Sequence, residues 1–140
     1  MDVNEGYVRW YAPLAVTCIV LSFQPILPAE RYGSIWEMTG RGGSGSPAAI
    51  GAVLMAGLIA LLAHASFRPP TRLRVPAGIA VLSGLIAVML ITRPGVGKPR
   101  PELTSFGDAA LAVAICTCVL AFFHLRRLMR PRGRARTMGV

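Results

Sequence analysis

Four long stretches of this sequence contain no Lys, Arg, Asp or Glu at all: 11–29, 42–67, 75–92 and 109–125. A soluble helix of that length needs charge on a solvent face, so four such stretches in 140 residues exclude the ordinary water-soluble class. Carboxylates are scarce too, six in all, and none falls within these stretches. That removes the buried acid on which ion-coupled carriers depend, because a charge in lipid is retained only for function. The first stretch offers Gln24 beside Pro25 and nothing stronger. No convergent nucleophile or acid/base set is present, so an enzyme is not expected. Cysteine is limited to Cys18, Cys116 and Cys118, all in the uncharged stretches, which excludes a secreted disulfide framework. C-x-C on a helix sends its two thiols to nearly opposite faces, so the pair fits neither a redox motif nor a vicinal metal site. These cysteines read as small packing residues.

The uncharged stretches themselves are the main signal. An apolar helix crosses the hydrocarbon with about 20 residues at about 1.5 Å each. The expected spans are 11–28, 47–67, 75–92 and 106–125, followed by a basic cytoplasmic tail over 126–140. The fold expected is all-α, a single-domain integral membrane bundle of four transmembrane helices. It would consist of two parallel hairpins if the echo between His64 and His124, each followed closely by arginine and proline, marks a duplication. The opening "MDVNEGYVRW" is acidic rather than basic, and "ILPAE" lacks a small-x-small cleavage site, so the first span is expected to be a retained helix.

Local signals agree with the spans. Ser46-Pro47 supplies an N-cap serine followed by proline at the first helical position. Ser105-Phe106-Gly107-Asp108 matches a capping box, with Asp108 at the positive end of the helix dipole. "GVGK" at 95–98 resembles part of a phosphate-binding loop, but Lys98 precedes Pro99 and no glycine stands five residues before Gly97. It reads as a proline-stiffened turn between the third and fourth spans. Small residues recur at helical spacing, as Ala48, Ala52, Ala56 and Ala60, then Ala77, Ala80 and Gly84, then Ala110, Ala114 and Cys118. Such stripes read as packing seams, of the bundle or of an oligomer.

Basic residues orient the chain. Arg9, Arg68, Arg72, Arg74, Arg126, Arg127, Arg130, Arg132, Arg134 and Arg136 fall on one side; Arg31, Arg41, Arg93, Lys98 and Arg100 fall on the other. The positive-inside rule then puts both termini in the cytoplasm. Arginine supplies all but one of the 15 basic residues, as in GC-rich bacterial coding, so the expected location is the bacterial inner membrane. Tyr7, Trp10, Tyr11, Tyr32, Trp36, Phe67 and Phe106 lie near the expected interfaces, as an aromatic belt requires.

Three features carry candidate chemistry. His64 and His124 fall at similar depth near the cytoplasmic face, where two imidazoles on adjacent helices would bind a haem or a metal. Without such a site the chain needs no cofactor, and each ring simply reaches toward water at the boundary. Arg126, Arg127, Arg130, Arg132, Arg134 and Arg136 form a patch for anionic lipid headgroups or an acidic partner. No aromatic stacking platform accompanies that charge, so nucleic acid is not an expected partner. "ERYGSIWEM" reads as a short interfacial helix and "TGRGGSGSP" as a flexible linker. The expected function is a non-catalytic accessory, assembly or regulatory component of a membrane complex, with a membrane-protein partner or a homo-oligomer. The alternatives are a small oligomeric transporter and a redox subunit using His64 and His124.

Overall fold

A computed structural model describes residues 3–68 and 73–129, and these are all-helical. The helices are α1 (Val3–Ser22), α2 (Ile35–Gly42), α3 (Pro47–Phe67), α4 (Arg74–Thr92) and α5 (Ser105–Met129). Among the described residues there is no strand, only an isolated antiparallel bridge between Leu27 and Gly33. Arg72, Arg130, Arg132, Arg134 and Arg136 lie outside the described residues.

α3 starts where its sequence says it should. The Ser46 hydroxyl accepts the Ala49 N–H at 3.2 Å, and Pro47 occupies the first turn, where its missing N–H goes unnoticed. α1 differs from expectation: it begins at Val3 and ends at Ser22, whereas the uncharged stretch suggests 11–28. Charge excludes residues from lipid, not from a helix, so Arg9 lies within α1. Pro25 and Pro28 oppose helix in the residues before them. The chain instead tightens, with Phe23 and Gln24 N–H groups reaching the carbonyls three residues back.

α5 starts at Ser105, but Thr104 rather than Ser105 caps it. Its hydroxyl accepts the Gly107 N–H at 3.2 Å, and its carbonyl accepts from Asp108 at 2.9 Å. Thr104 has a second duty that local sequence does not reveal. The same hydroxyl donates to the carbonyls of Pro25 and Ile26, while its N–H donates to Ile26 at 3.1 Å. The loop after α1 is thereby tied to the start of α5. α5 continues past 125 because Arg126 and Arg127 suit its negative end.

α2 is the short helix expected near "SIWEM". A capping box starts it, Ser34 N–H donating to Glu37 Oε2 at 2.7 Å while Glu37 N–H donates to the Ser34 hydroxyl at 3.4 Å. It takes up residues 39–42, the first part of the stretch expected to be a linker. Trp36 Nε1 donates to the Ser22 hydroxyl at 3.2 Å, pinning α2 to the end of α1.

α1 packs against α3 and α5, and α4 packs against the same two, so the long helices form a ring with α3 and α5 on one diagonal. Leu58, Leu62, Ile79, Ala65 and Ala121 fill its centre and are almost wholly buried. On α3 the inward face is Ala49, Ala52, Met55, Leu58, Leu62 and Ala65, spaced three or four apart. Of the expected alanine stripe only Ala52 is buried; Ala56 and Ala60 face out. The α4–α5 seam is close, with Cys118 Sγ 3.4 Å from the Ala80 carbonyl and 3.7 Å from a Cβ placed on Gly84. Buried hydroxyls are satisfied within their own helices: Ser83 to Ile79 and Thr117 to Val113, each at 2.7 Å.

The outer surface is apolar. Val53 is 71% exposed and Phe67 86%, with Val81, Val88, Ile91, Phe122 and Phe123 also well exposed. Among the described residues three helices, α3, α4 and α5, are long and apolar enough to cross a membrane.

Candidate functional site

Two ends of the bundle gather the residues with chemistry. At one end, α1 presents Tyr7 and Tyr11, one turn apart, to His124 on α5. The Tyr11 hydroxyl lies 2.7 Å from His124 Nδ1. Tyr7 stacks flat on the imidazole, with centroids 4.6 Å apart and planes 6° from parallel. Tyr11 and His124 are buried, so this is an interhelical clamp of ring stacking and one hydrogen bond, 113 residues apart in sequence. Tyr11 therefore leaves the aromatic belt for the core.

His64, the other candidate ligand, is exposed on α3. α3 sits diagonally across the ring from α5, so His64 faces outward while His124 faces α1. The two rings lie in different environments, His64 exposed and His124 buried against α1. Among the described residues no three His, Cys, Asp or Glu side chains gather in metal-binding geometry. Cys18 is buried in the core, Cys116 faces outward, and Cys118 packs in the α4–α5 seam. Of the basic patch, Arg126 and Arg127 are exposed in the last turn of α5, and Arg126 lies 5.8 Å from the Phe122 ring centre.

The opposite end is built from the loop after α1, α2, the start of α3 and the α4–α5 connection. Between them lies an apolar cavity of ≈ 100 Å³, reaching down to Met55, Ile86 and Ala110. Its rim includes Arg93, which ends α4 in the left-handed region at φ 48°, a conformation more usual for glycine. The Arg93 N–H returns to the Met89 carbonyl at 2.8 Å; its guanidinium donates to the carbonyls of Leu90 and Pro101. Arg93 thus fastens both ends of its own turn. Next to this cavity is a second, of ≈ 250 Å³, with Arg31 and Arg41 in its lining. The two share Met38, Pro47, Ala48, Pro94 and Val96 as common wall.

"GVGK" belongs to this end. α4 rather than a strand precedes it, and Gly95, at φ 80°, lies against Pro47 at the start of α3. The cavity itself is not legible in the sequence, since Arg31, Arg41 and Arg93 come from separate segments. The signal nearest to it is the concentration of glycine and proline at 93–101, which allows the close turns. Comparison with family models, curated proteins and solved structures finds no match for this chain.

Proposed function

We propose that this chain is a multi-pass protein of the bacterial inner membrane in which α1, α3, α4 and α5 all cross, with both termini cytoplasmic. In that membrane it acts as a non-catalytic accessory, assembly or regulatory component of a larger complex. The crossing of α1 is supported by the uncharged stretch 11–29, which begins within the helix and runs on past its end at Ser22, and by the exposed apolar side chains Val16, Ile19 and Val20 on the helix and Phe23 just beyond it. Orientation rests on the ten basic residues on the terminal side against five on the other.

The observation that carries the accessory reading is the filled centre. Below Met55 and Ile86, the residues Leu58, Leu62, Ile79 and Ala121 close the bundle, and the Tyr7–Tyr11–His124 clamp seals the cytoplasmic end. Such a bundle offers its exposed apolar faces to lipid and to partner helices rather than a path through itself. A second reading, a small oligomeric transporter, is favoured by one feature: the cavity open toward the other end, which would be one half of an access route.

Native mass spectrometry of the protein isolated at natural abundance in mild detergent separates these. A defined assembly with other subunits is expected. A homo-oligomer alone would overturn the accessory reading and direct work to flux in reconstituted vesicles.

A further inference from the structure

We propose that the paired cavities at the outer end form a binding site for an anionic membrane phospholipid, with its phosphate on the arginines and part of an acyl chain in the apolar cavity. The inference rests on the membrane reading above, and the tests are separable.

The geometry joins two unlike chemistries. The deeper cavity is walled almost entirely by carbon, with Ile26, Met55, Ile86 and Leu103 in its lining. An apolar cavity of about 150 Å³ takes a benzene-sized guest, so ≈ 100 Å³ suits a few methylenes of a chain rather than a whole compact ligand. The neighbouring cavity is larger and more open, and it contributes Arg31 and Arg41. With Arg93 on the first rim, the described lining carries three arginines and no carboxylate.

Arg31 and Arg41 are exposed, and the contacts they make leave their charge intact. Arg31 lies 5.9 Å from the Tyr32 ring centre, and Arg41 Nη1 donates to the Arg31 carbonyl at 3.4 Å. Neither contact neutralises a guanidinium, whose planar fork suits a phosphate. Glu37, the carboxylate on α2, is turned away into the capping box with Ser34. The two cavities adjoin, sharing Ala48 and Val96 in their linings, so one molecule lying across that boundary would place its head on the arginines and its chain toward Met55. A soluble anion would use the arginines and leave the apolar cavity unfilled.

The test is native mass spectrometry of the full chain, delipidated in mild detergent and titrated with phosphatidylglycerol, phosphatidylcholine or inorganic phosphate. One phosphatidylglycerol per chain should bind at least tenfold more tightly than phosphatidylcholine. The Arg31→Gln/Arg41→Gln variant should lose that preference by about 10- to 30-fold, at about fivefold per charge. Ala48→Phe, which fills the shared wall, should weaken both lipids while keeping both arginines. Arg126→Gln/Arg127→Gln, at the opposite end, should leave this binding unchanged.

Equal retention of the two lipids would overturn the proposal. So would a preference that survives both outer-end variants but is lost with Arg126→Gln/Arg127→Gln, and so would inorganic phosphate binding as tightly as the lipid. Carbonate extraction of membranes tests the underlying reading on its own. A chain that stays in the pellet yet shows no lipid preference sinks this inference alone, whereas a chain released by carbonate sinks the membrane reading.

Discussion

Replacing Gly107 by alanine should destabilise the bundle by roughly 2 kcal/mol, although alanine is the better helix former. Gly107 is buried in the first turn of α5, where the loop after α1 crosses it. A Cβ there would lie 2.5 Å from the Ile26 carbonyl oxygen and 3.0 Å from Leu103 Cδ2. The first contact is with backbone, so relief requires the loop to move as a unit. That movement strains or breaks the Thr104 bonds to Pro25 and Ile26, each worth about 1 kcal/mol net, and overpacking adds about 1–3 kcal/mol. Better helix propensity returns at most about 1 kcal/mol. Gly84→Ala is the control, because its Cβ would meet only Cys118 Sγ at an ordinary 3.7 Å, and it should be neutral or stabilising by about 0.5 kcal/mol. Both variants are compared with the parent by reversible unfolding in mixed micelles on titration with denaturing detergent. Equal midpoints for Gly107→Ala and Gly84→Ala would refute the idea that the α1 loop is locked onto α5.

Other substitutions probe the remaining elements by the same unfolding assay. Tyr11→Phe keeps the ring packed but deletes the hydroxyl 2.7 Å from His124 Nδ1, and should lose roughly 0.5–2 kcal/mol. The loss should disappear in a His124→Ala background, since the pair forms one unit. Ser46→Ala removes the cap on α3 and should lower stability by about 1 kcal/mol, whereas Ser44→Ala, exposed and outside any helix, should change nothing measurable. Leu62→Ala, at a fully buried position in the centre of the ring, should lose about 2–5 kcal/mol and make the largest change of the set.

How far the sequence reveals this molecule depends on which physical signal each feature leaves. Helix α3 is legible to the residue, because Ser46-Pro47 fixes its start and an uncharged apolar run defines its length. α1 is misplaced when absence of charge is equated with helix, since Arg9 sits comfortably in a helix that an interface can accommodate. The cap of α5 shifts from Ser105 to Thr104 for a tertiary reason, the hydroxyl's bonds to carbonyls 78 and 79 residues away. The histidine pair illustrates the same limit. Depth along a helix can be counted from sequence, but the azimuth depends on which neighbours pack where. His64 turns out and His124 turns in, toward two tyrosines whose spacing on α1 becomes meaningful only when α1 lies beside α5. The arginine-rimmed cavities are assembled from the loop after α1, α2, the facing ends of α3, α4 and α5, and the α4–α5 connection, and leave no periodic signal at all.

The central claim is that four helices cross, and cysteine accessibility in intact cells tests it most directly. Single cysteines are placed at Asp2, Ser44 and Thr71 and exposed to a membrane-impermeant thiol reagent before and after permeabilisation. The four-crossing arrangement predicts that only the cysteine at 44 reacts in intact cells, while those at 2 and 71 react once the membrane is opened. Reaction at both 2 and 44 in intact cells would place the two ends of α1 on one side, leave three crossings, and contradict the account.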